Sequence, residues 1–457
     1  MSANSNEKHE LQRGLKNRHI QMIALGGAIG TGLFYGSSTS IKLTGPAITL
    51  AYLIGGFIIF LIMRALGEMS VDHPVSGSFS HYAYTNWGEF PGFLSGWNYW
   101  FNYIVVSMAE LSVVGIYVNY WLPDIPTWLS ALIFLVIITS INLINVKLYG
   151  EFEFWFALVK VVAIIAMIVL GLFMIFTGIG NGGQATGFSN LWAHGGFLPN
   201  GITGLLFSLV MVMFSFGGVE LIGITAGEAD NPTKTIPKAI NQVVWRILIF
   251  YIGALAVMMT IFPWNKLGES GSPFVEIFSK IGIPAAAGIL NLVVLTAALS
   301  AYNSGLYSNG RMLHGLALQG NAPKSFAKVS KSGTPVVGVL VSSALTLVAV
   351  AMNYLVPGKV FVYLISIATF AGILNWTMII ITQLKFRKSK SPEEVAKLKF
   401  KLPFYPISSY ITLAFMAMIL VLMALMPDMR VALIIGPIWM LVLFVAFMIR
   451  KRSVKKG

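Results

Sequence analysis

The chain contains no cysteine, which excludes disulfides, thiolate nucleophiles and thiolate metal sites and leaves the redox compartment unread. Charge is the second scarcity. Only 11% of the 457 residues are Asp, Glu, Lys or Arg, against about a quarter in soluble domains, while 56% are hydrophobic and mean hydropathy is +0.77. A water-soluble globular enzyme is therefore not expected. No histidine or carboxylate falls in a zinc-binding HExxH frame, and no nucleophile or acid–base constellation is visible. Neither a metal nor a cofactor is predicted. A soluble domain is missing as well, because the longest polar stretch covers only residues 385–406.

What is present is apolar and comes in uninterrupted blocks, each long enough to cross a hydrocarbon layer of about 30 Å at about 1.5 Å per helical residue. These blocks predict an all-α polytopic membrane protein of about twelve spans, near residues 19–38, 45–69, 92–121, 127–147, 153–178, 201–226, 241–263, 283–309, 336–355, 360–383, 406–426 and 431–449. The domain reading is a cytoplasmic segment over 1–18, one transmembrane domain over 19–450 and a tail over 451–457. Alternating the loops from an inside N-terminus leaves only Lys42, Lys266, Lys280, Lys359 and Arg430 outside, with Lys160 inside a span. The other Lys and Arg residues, out of 31, fall on or near the inner face. That asymmetry predicts that both termini are cytoplasmic. A net charge of +14 raises nucleic acid as a partner, but the basic residues flank hydrophobic spans and build no folded recognition surface. Membrane lipid accounts for them, and no nucleic-acid partner is predicted. No small-residue cleavage site follows the first apolar run, so no removable signal is expected.

Two spans carry glycine-rich interruptions: Gly26-Gly27-Ala28-Ile29-Gly30-Thr31-Gly32 in the first and Phe214-Ser215-Phe216-Gly217-Gly218-Val219-Glu220 in the sixth. Irregular backbone at membrane depth is tolerated only where it lines a cavity or is buried in protein. The breaks occupy corresponding positions if 19–178 and 201–383 are two five-span repeats, inverted because the number of spans is odd, with 406–449 adding two more. Transporters build midplane sites this way. Freed amides at the start of a half-helix suit a carboxylate and freed carbonyls suit an ammonium, so a zwitterion fits both. Close helix packing is the alternative use of such glycines, and Gly92 with Gly96 is read that way. The spacing of Gly30, Gly32 and Gly36 is wrong for a dinucleotide loop, and no strand precedes it.

At these residues the sequence resembles the amino acid permeases of the amino acid–polyamine–organocation superfamily, specifically the bacterial amino acid transporter family. The resemblance covers nearly the whole chain: Arg13 to Ile20, Ala24 to Phe34, Arg64 to Met69, Gly150 to Trp155, Gly223 to Ala229 and Tyr302-Asn303-Ser304. It implies a LeuT-type fold of two inverted five-span repeats, uptake of an L-amino acid across the bacterial inner membrane, proton symport and alternating access. It also implies that Gly30, Thr31 and Gly32 bind the substrate carboxylate, that Ala28 and Gly217 offer carbonyls to its ammonium, and that Phe214 and Phe216 stand where an aromatic side chain covers it.

Ionisable groups inside spans are costly, about 2.5–3.5 kcal/mol on insertion scales, so each is a functional candidate. Lys160 in span five matches, by the resemblance, a lysine that replaces a sodium ion of sodium-coupled relatives. It is expected to bridge spans one and eight near Gly27, Ser300 and Ser304. Loss and gain of its proton is one coupling event; a permanently charged strut is the other reading. Glu110 in span three either carries the proton or pairs with Asn102 or Tyr103. Glu220 is expected to accept from the unwound backbone, with a share in proton coupling. Glu228 is assigned to an inner gate with Lys234 or Arg18. Arg64 and Glu68, four apart, read as an interfacial ion pair. Segments such as Gly96 to Trp100 resemble aromatic amino acid permeases, whereas Gly180 to Gln184 and Gly310 to Gly315 resemble permeases for proline, histidine, threonine or serine. A neutral, bulky substrate is the expectation. An obligate exchanger is the competing class, and oligomeric state stays open.

Overall fold

The computed structural model describes residues 29–75, 78–144, 146–179, 181–220, 223, 232–267, 272–280, 284–330, 332–356 and 359–454. Ala28 and Glu228, with Gly27 and Arg18, lie outside the described residues. Every regular element among them is helical. A helix satisfies its own backbone, which is what an apolar run of twenty or more residues requires where no water is available.

Ten helical stretches among the described residues are long and apolar enough to cross a bilayer. The first of them, Gly36–Asp72, is interrupted at Gly45, whose φ of 61° needs glycine, and at the 3-10 turn Gly45–Ala47. It therefore joins the second part of span one (Gly36–Thr44) to span two (Ile48–Asp72). Then come span three (Glu89–Val118), span four (Thr127–Ile144), span five (Val146–Thr177), span eight (Pro284–Leu318), span nine (Val336–Leu355), span ten (Val360–Lys388), span eleven (Ile407–Leu425) and span twelve (Arg430–Val454). Span seven starts as Pro232–Arg246, widens to a π-helix over Ile247–Gly253 and returns to Ala254–Ile261. Its start is nine residues ahead of the hydropathy boundary, and spans eight and ten run past theirs, because polar residues continue the helix beyond the apolar core. Span six is the short apolar helix Gly201–Ser215.

Span three is the central post. Spans eight and ten pack along it, and little of it is exposed. Small residues set the close crossings: a Cβ on Gly32 would stand 2.7 Å from the Ser215 Cα, and one on Gly338 3.0 Å from the Gly310 carbonyl oxygen. The second part of span one lies on span six, where the Asn200 side chain donates to the Lys42 and Leu43 carbonyls at 3.0 Å each. Span five shows the two-sidedness of a peripheral span: Trp155, Val162 and Phe176 are more than half exposed, while Glu153 and Lys160 are fully buried.

Candidate functional site

Both glycine-rich stretches depart from regular helix. At the first, Gly30 is extended (φ −119°, ψ −158°) and a four-residue helix, Thr31–Phe34, begins on it. A second irregularity at Tyr35 separates that turn from Gly36–Thr44. The freed Thr31 amide donates to both carboxylate oxygens of Glu110 at 3.3 Å each. The carboxylate lies so close that a Cβ on Gly30 would meet its Oε1 at 2.7 Å, and the carboxylate is buried. Glu110 thus takes its hydrogen bonds from span one rather than from Asn102 or Tyr103.

The second stretch ends span six at Ser215 and continues as turns through Phe216 to Glu220, with Gly218 at φ 96°. Tyr52 donates to the Ser215 Oγ at 2.9 Å, and Tyr251, in the wide π turn of span seven, donates to the Ser215 carbonyl at 3.2 Å. Two tyrosines therefore supply hydrogen bonds around the end of the helix. Phe214 and Phe216 part company here. Phe214 faces the cavity between the breaks and packs edge-on against Phe361 at 6.2 Å. Phe216 is fully buried between Tyr52 and Tyr251, at 5.6 and 5.2 Å, and is not brought to the cavity. Glu220 accepts from the Trp376 indole N–H of span ten at 3.3 Å.

Lys160 is fully buried and does reach spans one and eight: its Nζ donates to the Ile29 carbonyl at 3.1 Å and to the Ser300 Oγ at 2.9 Å. Ser300 in turn donates to Glu153 Oε1 at 2.6 Å. Glu153 lies within the Gly150 to Trp155 motif, and its pairing was not expected from the sequence. The available signal was its position seven residues before Lys160, two helical turns away on the same face. Ser304, one turn beyond Ser300, pairs with the Tyr149 hydroxyl at 3.3 Å and lines the cavity.

The cavity between the breaks collects Gly30, Gly32, Glu110, Phe214, Gly217 and Ser304 from the predicted set. It also collects residues that no hydropathy pattern marks, among them Asn102, Tyr103, Ser215, Thr369 and Trp376. The Asn102 Oδ1 is buried with no hydrogen-bond partner, an acceptor in the wall of the cavity. Arg246 is a second omission: it is buried in span seven and interacts electrostatically with Glu220.

One ion pair is reassigned. Glu68 does not take its hydrogen bonds from Arg64. It accepts the guanidinium of Arg387 from span ten, the Gln383 amide at 3.1 Å and the Leu402 N–H at 2.5 Å. Arg64 donates to the Lys401 carbonyl and covers the Phe400 ring, 3.8 Å from its centroid. A fully buried carboxylate is matched by a planar fork and two further donors, more than an (i, i+4) neighbour offers.

Two interrupted spans facing one buried cavity, with ionisable groups at the breaks, define a membrane transporter for a small polar solute. Residues 19–456 match the family model described as amino acid permease, and the chain belongs to that family. It is 56% identical over 441 residues, 96% of this chain and 95% of the relative, to the uncharacterized amino acid permease YtnA of Bacillus subtilis (strain 168). It is 54% identical over 446 residues, 98% of this chain and 97% of the relative, to the aromatic amino acid transport protein AroP of Escherichia coli (strain K12). The AroP of Salmonella typhimurium (strain LT2) shows the same identity and coverage. The fold is that of the family, a LeuT-type bundle of about twelve spans with spans one and six broken, and these relatives are transport proteins rather than enzymes.

Proposed function

We propose that the protein imports a neutral L-amino acid with a bulky, aromatic side chain by proton symport through alternating access, in the cytoplasmic membrane of a bacterium with both termini inside. The observation that carries the reading is the Glu110 carboxylate on the Thr31 amide. That amide, with Gly30 and Gly32 beside it, is the donor that a substrate carboxylate needs, and two carboxylates cannot both be ionised there. Protonation of Glu110 frees the amide, so the substrate enters with a proton. Departure of the substrate to the cytoplasm lets Glu110 release the proton and return to Thr31. Lys160 holds the Ile29 carbonyl and keeps the backbone open at this depth, tied through Ser300 to Glu153.

The substrate ammonium is assigned to carbonyls at the breaks, Gly217 and Ala28, and its side chain to the space bounded by Phe214, Tyr103 and Trp376. A Cβ on Gly372 would meet nothing nearer than the Asn102 Nδ2 at 3.9 Å, which leaves room for a ring on that side. The aromatic preference also draws on the AroP relatives, alike over nearly the whole chain. Glu228 is kept as an inner-gate residue. The test is uptake into liposomes of amino acids that bind the purified protein, with and without an inward proton gradient. Gradient-stimulated accumulation of phenylalanine, tyrosine or tryptophan supports the proposal. Uptake that needs internal amino acid and ignores the gradient makes the protein an exchanger.

A further inference from the structure

Away from the central cavity, a groove of about 400 Å³ runs between the start of span three, the turn after span eight and the end of span twelve. Its walls are mainly apolar, with Phe93, Leu443 and Val442 prominent, and Phe93 and Leu443 belong to one buried cluster. Trp439 is fixed by stacking on Phe101 at 4.5 Å, and Trp97 by donating to the Asn321 carbonyl at 3.0 Å. Two donors on the lining residues are left over. The Trp439 Nε1 and the Arg450 Nε are both buried and have no hydrogen-bond partner, a costly arrangement unless something accepts from them. Among the described residues, no carboxylate lines the groove.

The surroundings indicate what that acceptor is. The outer flank of span twelve is bare and apolar, with Leu441 and Ile449 each 61% exposed, as a lipid-facing helix is. The span ends in Arg450-Lys451-Arg452, and Lys385 of span ten stands over the Trp87 ring on the same rim. Donors that end an apolar flank, next to clustered cations, sit at the level of phospholipid head groups. A guanidinium matches the geometry of a phosphodiester, and with no acid on the wall there is no partner for a choline or ethanolamine ammonium.

We propose that this groove binds one anionic phospholipid, with the phosphodiester accepting from Arg450 and Trp439 and an acyl chain lying along Phe93, Val442 and Leu443. The lipid fastens the last span to span three independently of how substrate and proton are coupled.

The experiment is native mass spectrometry of the delipidated full-length protein after addition of phosphatidylglycerol, phosphatidylcholine or inorganic phosphate. One retained phosphatidylglycerol, little phosphatidylcholine and no phosphate adduct are expected, with retention about tenfold lower in Arg450→Gln and reduced in Trp439→Phe. Unchanged retention in Arg450→Gln overturns the proposal, as does equal retention of phosphatidylcholine or binding of phosphate alone. Ala446→Phe, which fills the groove and leaves Arg450 in place, must lose the lipid too; retention there overturns it even if Arg450→Gln fails to fold. Dimerisation of the delipidated protein, cross-linked at Val442, makes a second copy the occupant and also overturns it.

Discussion

Glu110 and Lys160 are both buried beside the first break, yet their environments ask different things of them. The Glu110 carboxylate accepts from the Thr31 amide, between two glycines, Gly30 and Gly32, that line the cavity, and in the proposed cycle these bonds pass to the substrate carboxylate. Glu110→Gln removes the charge and keeps the shape. Uptake assays in liposomes at several external pH values are expected to show substrate exchange retained and gradient-driven accumulation lost; accumulation that still follows the gradient would sink the proton role. Lys160 instead closes a chain from Ile29 through Ser300 to Glu153. Lys160→Ala leaves the fully buried Glu153 without its cationic neighbour, which costs about 3–5 kcal/mol. Thermal unfolding in detergent should show a large loss in Lys160→Ala and recovery of part of it in Lys160→Ala/Glu153→Gln. If the double variant is no more stable than the single, the lysine is not neutralising Glu153.

At the scale of elements, the site depends on how closely spans one and six approach. A Cβ on Gly32 runs into the Ser215 backbone, which cannot turn aside as a flexible side chain can. Gly32→Ala is expected to cost about 1–3 kcal/mol as overpacking and to abolish transport. Gly36→Ala, four residues on, meets nothing nearer than 3.8 Å and is expected to be neutral or to gain up to about 1 kcal/mol in the helix. Substrate binding and melting of the two variants, measured side by side, check the difference; equal behaviour would show that the contact between breaks does not matter. The π segment of span seven belongs to the same assembly, because Tyr251 within it supplies the hydrogen bond to the Ser215 carbonyl.

Across the whole molecule, Glu68 joins three parts of the chain: span two, span ten through Arg387 and Gln383, and the segment before span eleven through the Leu402 amide. Lys390 adds an ion pair to Asp72 at 2.9 Å on the same rim. In the proposed alternating-access cycle, movement of span two relative to span ten has to part these bonds or carry them along. Arg387→Met leaves the Glu68 carboxylate buried without its cation, and the expected cost is again about 3–5 kcal/mol. Denaturation of the purified variant measures it. An unchanged melting temperature would mean that the cluster is not a fastening.

Hydropathy and composition alone determined that the chain is helical and crosses a membrane about twelve times, because both follow from the burial free energy of contiguous residues. The glycine-rich strings located both breaks, and Glu110, singled out as an ionisable group within a span, lines one cavity with Gly30, Gly32, Phe214, Gly217 and Ser304, which the family resemblance pointed to. The partners were not legible. Glu110 meets Thr31 from 79 residues away and Glu68 meets Arg387 from 319 away, distances over which no local pattern operates. Phe214 and Phe216 are equivalent as letters, but the helix ends between them, so one side chain reaches the cavity and the other is packed between tyrosines. Tertiary structure decided these points, because a buried polar group takes whichever donor the fold brings to it, and only the assembled spans determine which one that is.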